Sequence, residues 1–130
     1  MIAVCIVTYN HESFIAQCIE SVLAQVCDEP IRIYIGDDAS TDNTQSICEQ
    51  YAATDERIVY IRRDKNMGLT NNTIDLYRRI MADGCEYIAM LDGDDYWIDT
   101  HKLQLQLNYL RTHPECGFIH SAAYEENDGN

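Results

Sequence analysis

Asp92, Asp94 and Asp95 crowd around Gly93 at the end of the apolar run Tyr87-Ile88-Ala89-Met90-Leu91. Side-chain packing gives no reason for such crowding. Carboxylates this close repel one another and raise one another's pKa unless a cation or a set of hydrogen-bond donors lies among them. A hard divalent metal is the simplest ligand for the group. In an extended segment side chains alternate, so Asp92 and Asp94 are expected on one side and Asp95 on the other. The alternative is a solvated acidic turn that closes a strand, with Asp95 or Asp99 capping the next helix.

The surrounding chain supplies the elements that would position such a site. Short runs rich in β-branched residues predict strands over 2–7, 31–35, 58–61, 87–91 and 117–122. Between them, helical spacing appears in Ile15, Ile19, Val22, Leu23 and Val26, then in Thr44, Ile47, Cys48 and Tyr51, with that second helix starting near Asp42. Ile74, Tyr77, Ile80 and Met81 mark a third helix ended by Gly84, and Leu103, Leu107 and Leu110 a fourth closed by His113-Pro114. Strands alternating with helices of this length give an α/β fold, a mostly parallel sheet with helices on both faces. Ligands gather at the carboxyl ends of such strands. There the sequence places Thr8-Tyr9-Asn10, Asp37-Asp38, the segment from Arg62 to Asn66, and Asp92-Gly93-Asp94-Asp95. Four polar segments at one sheet edge favour a binding site over unrelated turns.

With 130 residues, 46% of them apolar, the chain has the size and the apolar content for one core. A formal net charge of −13 argues against nucleic acid and anionic membrane as partners, because both attract basic surfaces. The same charge demands that an anionic ligand be offset by a divalent cation, by backbone amides, or by Arg62, Arg63 and Lys65. The six cysteines contain no C-x-x-C pair and read as small buried hydrophobes in a reducing compartment. Neither they nor the four histidines have zinc-ligand spacing. No apolar stretch reaches the roughly 20 residues that span a bilayer, and no basic segment precedes the first strand, so a cytoplasmic location is expected.

Four pieces, Val4-Cys5-Ile6-Val7-Thr8-Tyr9-Asn10, Ile35-Gly36-Asp37-Asp38-Ala39-Ser40-Thr41-Asp42-Asn43-Thr44, Asn66-Met67-Gly68 with Asn72, and Leu91-Asp92-Gly93-Asp94-Asp95, stand in an order and spacing that resembles the family-2 glycosyltransferases of the GT-A fold. The resemblance covers nearly the full length. It implies a Rossmann-like GT-A sheet and an inverting transfer from a nucleotide-diphosphate sugar, a UDP- or dTDP-sugar, to a saccharide or lipid-linked hydroxyl acceptor, with Mg²⁺ or Mn²⁺. The implied donor-binding residues are Thr8, Tyr9, Asn10, Asp37, Asp38, Asn66, Gly68, Asn72, Asp92 and Gly93. Tyr9 would stack on a pyrimidine, as aromatic rings do on bases. Asp38 would accept from the base N–H, while Asp37 is open to an Asx turn instead. In the family's D-x-D pattern Asp92 faces the ribose and Asp94 holds the metal.

Gly68 is expected to supply a positive φ and Asn72 to cap the third helix. Ser40, Thr41 and Asp42 read as cap residues, and Tyr96-Trp97 as either an acceptor-side wall or packing. This sequence lacks the arginine that many relatives carry near Leu69-Thr70-Asn71-Asn72. Relatives also place the catalytic base well downstream, which puts it beyond Asn130; Glu125, Glu126 and Asp128 come too early. Residues 1–124 therefore read as the donor-binding part of a longer, C-terminally truncated enzyme, and 125–130 as a polar tail or the start of an acceptor-binding part. Peripheral membrane contact of the whole protein is compatible with this reading. So is self-association through a sheet edge near 117–122. A non-catalytic nucleotide- or sugar-binding module and a nucleotidyltransferase are the alternatives; the second would want a Gly-rich basic loop where Thr8-Tyr9-Asn10-His11-Glu12 stands.

Overall fold

Strand β1 (Ile2–Thr8) is buried at all seven positions. A strand of that kind must be covered on both faces, which a central place in a parallel sheet provides. The computed structural model, which describes residues 1–127, puts it there. With β2 (Ile31–Asp37), β3 (Ile58–Arg62) and β4 (Tyr87–Asp92) it forms a parallel sheet in the order β3-β2-β1-β4. The helices are α1 (Ile15–Leu23), α2 (Thr44–Thr54), α3 (Leu69–Ala82) and α4 (Lys102–Thr112).

Side-chain alternation along β1 divides the core in two. Ile2, Val4 and Ile6 pack with Ile33 and Ile35 against Ile19 of α1, Cys48 of α2 and Leu107 of α4. Ala3, Cys5 and Val7 face the other way, toward Leu76 and Ile80 of α3. Burial pushes the Cys5 and Cys48 thiols up to about 12, so they stay protonated and behave as small apolar groups. All six cysteines are free.

The buried stripe of α3 is Asn72, Leu76 and Ile80, at spacings of four. Ile74, expected on that face, is exposed, as is Met81. The close approach of α3 to β2 decides its rotation: a Cβ on Gly36 would lie 2.5 Å from Asn72 Oδ1 and 2.8 Å from Leu76 Cδ1. Ile74 is two residues from both contacts and therefore on the opposite side of the helix. Asn72 is accordingly inside the helix and not its cap; the N-cap position belongs to Gly68, with φ 87°. Val26 lies past the end of α1 and is exposed.

The expected fifth strand does not form. Residues 117–122 adopt no regular structure and Phe118 is exposed. A strand needs a neighbouring edge to satisfy its N–H and C=O groups, and this segment pairs with neither β3 nor β4. The free edges of the sheet are thus β3 and β4 themselves, not 117–122. None of the helices among the described residues is long and apolar enough to cross a membrane. Asp128 and Asn130 lie outside the described residues.

Candidate functional site

The chain winds from β1 outward through β2 to β3, then crosses back to place β4 on the other side of β1. At such a reversal the loop after β3 leads to α3 on one face while the loops after β1 and β4 lead to α1 and α4 on the other, which leaves a crevice at the carboxyl ends of the strands. A cleft of about 340 Å³ opens there. Thr8, Tyr9, Asp38, Asn66, Gly68, Asn72, Asp92 and Asp94 line it, together with Val7, His11 and Leu69. Asn10, Asp37 and Gly93 do not reach the lining; they hold its floor and rim.

Gly93 shows why the floor has its sequence. Its N–H donates to Val7 C=O at 2.9 Å, and a Cβ there would fall 2.7 Å from Thr8 Oγ1 and 2.8 Å from His11 Nδ1. Only glycine lets the acidic turn lie this close to β1. The turn also corrects the expected alternation. The extended backbone ends at Asp92, and Asp95 N–H donates back to Asp92 C=O at 2.9 Å. Asp95 is thereby folded onto the same side, and one carboxylate oxygen from each of Asp92, Asp94 and Asp95 lies within 4.8 Å of the others. Partial burial, then the charges of Asp95 and Asp94, hold the Asp92 carboxyl above its ordinary value, with His11 acting the other way. Three hard oxygen donors whose charges repel fit a divalent cation such as Mg²⁺ or Mn²⁺.

The two neighbouring acids after β2 have different partners. Asp37 is fully buried and accepts from Ser40 N–H at 2.9 Å, Ser40 Oγ at 2.6 Å and Tyr60 Oη at 2.6 Å. Burial, reinforced by Asp37, pushes the Tyr60 phenol far up. Asp38 faces the cleft and accepts from Met67 N–H at 2.7 Å and Gly68 N–H at 2.9 Å, which pins the loop after β3. A carboxylate has about four acceptor sites, so Asp38 retains capacity for a ligand donor.

Asn10 Oδ1 accepts from Thr41 N–H at 2.8 Å and its own N–H donates to Ser40 Oγ, tying the β1 and β2 loops together. Of the three expected cap residues only Asp42 touches the start of α2, accepting from the Thr44 N–H as well as from Glu12 N–H; the Ser40 and Thr41 hydroxyls donate to Asp37 and Asn10, and the N-cap position belongs to Asn43, whose side chain makes no capping bond. Helix α2 itself begins at Thr44, two residues past the expected start.

Both loops carry left-handed backbone: Asn10 has φ 54° and Ala39 φ 62°. Asparagine tolerates this conformation, whereas alanine is disfavoured there by about 1–2 kcal/mol. Ala39→Gly is therefore expected to stabilise the protein by about 0.5–1 kcal/mol, the relief exceeding the added chain entropy of glycine. Chemical denaturation checks this; an unchanged or lower stability would show that the loop is not strained at Ala39.

No lysine or arginine lines the cleft among the described residues. Arg62 donates to Ser40 C=O, and Arg63 binds Asn72 Oδ1 and the Asp75 carboxylate. With Lys65 they border a separate depression. Trp97 packs on the core with Lys102 over its ring, and Tyr96 Oη donates to Glu126 at 2.8 Å. His11 is the polar lining residue that the sequence pattern did not single out, beside the apolar Val7 and Leu69. Its only sequence signal is its place directly after Thr8-Tyr9-Asn10; its closeness to Asp94 depends on the pairing of β1 with β4.

Residues 3–130 match the family described as Glycosyl transferase family 2. The chain belongs to this family. Among its relatives, the uncharacterized protein Rv1520 of Mycobacterium tuberculosis is 39% identical over 110 residues, covering 84% of this chain and 31% of that protein. Escherichia coli WfaP, a UDP-Glc:alpha-D-GlcNAc-diphosphoundecaprenol beta-1,3-glucosyltransferase, is 34% identical over 128 residues, 98% of this chain and 48% of its own. The crystal structure of S. aureus TarS 1–349 in complex with UDP superposes with a TM-score of 0.74 at 25% identity, covering 87% of this chain and 32% of that 1–349 chain. The chain thus spans between 31% and 48% of the length of these relatives. The family carries the GT-A sheet, and the parallel α/β fold seen here agrees with it.

Proposed function

We propose that this chain is the donor-binding part of an inverting, metal-dependent glycosyltransferase that takes a UDP- or dTDP-sugar and serves a saccharide or lipid-linked acceptor. One observation carries the reading: three carboxylates converge, two of them lining a cleft that no lysine or arginine among the described residues lines, at the point where the strand order reverses. An anionic donor enters such a cleft only with a cation. WfaP, a UDP-Glc-dependent relative, and TarS, which binds UDP, support the same donor class.

Asp94 and Asp95, with Asp92 beside them, would hold the cation, which when bound supplies positive charge to the leaving diphosphate. Asp92, nearest β1, is placed to meet the ribose. Tyr9, 45% exposed at the cleft rim, offers its ring to the pyrimidine, and Asp38 accepts from the base N–H. Asn66, Gly68 and Asn72 form the opposite wall, with Asn72 anchored by Nδ2 to Gly36 C=O at 2.9 Å. Inversion needs a carboxylate base to deprotonate the attacking hydroxyl, and that base is assigned to the part of the protein beyond Asn130. Residues 1–124 form the donor domain on this reading. The whole enzyme works on the cytoplasmic side, touching the membrane from its periphery when the acceptor is lipid-linked.

Tyr9→Ala tests the base contact. It is expected to weaken UDP binding by about 1–3 kcal/mol, the usual worth of a base–aromatic stack, without lowering the melting temperature. Calorimetry reads the affinity, and an unchanged value would remove Tyr9 from the donor site.

A further inference from the structure

The imidazole of His11 stands in the cleft with no role in the reading above, and the fold has fixed it in place. Its N–H donates to Thr44 Oγ1 at 2.9 Å, and its C=O accepts from Phe14 and Ile15 N–H at 2.9 and 2.8 Å. The ring is held as firmly: Nδ1 lies 3.0 Å from the buried Thr8 Oγ1, and Gly93 packs directly against it. These contacts leave Nε2 facing the acidic turn, 3.9 Å from Asp94 Oδ2. That separation is too long for a direct hydrogen bond. It fits two ligands of one ion, because metal–ligand bonds of about 2.1 Å place neighbouring donor atoms roughly 3–4 Å apart; the imidazole stands outside the group of three carboxylates whose oxygens lie within 4.8 Å of one another, so Asp94 is the acid it pairs with.

We propose that His11 is a nitrogen ligand of the divalent cation at the acidic turn, sharing it with Asp94, and that it favours Mn²⁺ over Mg²⁺. The inference rests on the metal-dependent donor reading and adds a ligand from the β1 loop to it. A ligating Nε2 must offer its lone pair, so Nδ1 carries the proton and donates to Thr8 Oγ1. This is the outer-shell arrangement that fixes the tautomer of metal-bound histidines. Thr8 is then a positioning residue. Mg²⁺ demands oxygen ligands in a near-octahedral set and gives up water reluctantly, whereas first-row transition ions accept imidazole. Losing the nitrogen should therefore cost Mn²⁺ more than Mg²⁺.

The test titrates Mn²⁺ and Mg²⁺ in the presence of UDP into the native protein, His11→Ala, His11→Gln and Thr8→Val, and records electron spin echo spectra of the Mn²⁺-loaded samples. Nitrogen hyperfine coupling is expected in the native protein and lost in both His11 variants. Their Mn²⁺ affinity is expected to fall about tenfold or more while Mg²⁺ affinity changes less than about threefold, with Thr8→Val intermediate. A native spectrum without nitrogen coupling overturns the assignment whatever the variants do. Equal losses for the two metals overturn it as well, and return His11 to an ion pair or to packing. Metal-dependent UDP binding that persists with His11 variants like the native protein sinks this inference alone. UDP binding indifferent to metal in the native protein sinks the donor reading with it.

Discussion

Asp94→Ala will bind UDP with the same weak affinity whether or not Mn²⁺ is present. On the proposed reading the cation is the only strong positive charge available to the diphosphate, because Arg62 and Arg63 are engaged elsewhere and no lysine or arginine lines the cleft among the described residues. Removing one carboxylate of three takes away both a donor oxygen and a unit of the negative charge that draws the cation in. Since even outer-shell changes lower metal affinity 10–100-fold, a loss of about 100-fold in metal-dependent affinity is expected. The fold should not suffer. The Asp94 side chain is 51% exposed and has no partner closer than His11 at 3.9 Å. Its removal relieves repulsion on Asp92, so the metal-free variant should melt at the native temperature or slightly above it. Calorimetry with and without Mn²⁺ checks the first expectation and thermal circular dichroism the second. Retained Mn²⁺ enhancement would move the metal away from Asp94.

The second large effect belongs to a residue one would mistake for a ligand contact. Asp37→Ala is expected to destabilise the protein by about 3–4 kcal/mol, because hydrogen bonds to a charged acceptor contribute roughly 1.5–3 kcal/mol each and buried donors left unpaired carry a further cost. Three donors converge on this carboxylate, two from the buried Ser40 and one from the half-buried Tyr60. Urea denaturation reads the loss. A change under about 1 kcal/mol would mean that the Ser40 and Tyr60 donors find other partners, and that Asp37 is free for a ligand after all.

The pair Asp37 and Asp38 shows what was legible in the sequence and what was not. Both stand at a strand end, where alternation predicts opposite directions, but alternation does not say which direction is the interior. That depended on Tyr60 from β3 and on the 66–68 loop, contacts distant in sequence. The four strands and four helices were readable because period-2 and helical spacing are local signals, and β1 and β2 are runs that a covered parallel sheet accommodates, whereas the apolar run of β4 lies at an edge with Ile88 and Met90 exposed. Residues 117–122 carry the same local signal and form no strand, since pairing needs a partner edge that apolar content does not report. Asp95 entered the acidic cluster because the backbone turns at Gly93. His11 entered the cleft because β1 and β4 are neighbours, a fact of topology.

Calorimetric titration of the protein with UDP, with and without Mn²⁺ and repeated with dTDP, GDP and ADP, tests the central claim most directly. The account predicts saturable binding of the pyrimidine diphosphates that is strengthened by Mn²⁺, and weaker binding of GDP and ADP. Binding indifferent to both the metal and the base, or no binding by a folded sample, would contradict the assignment of this cleft as a nucleotide-sugar donor site.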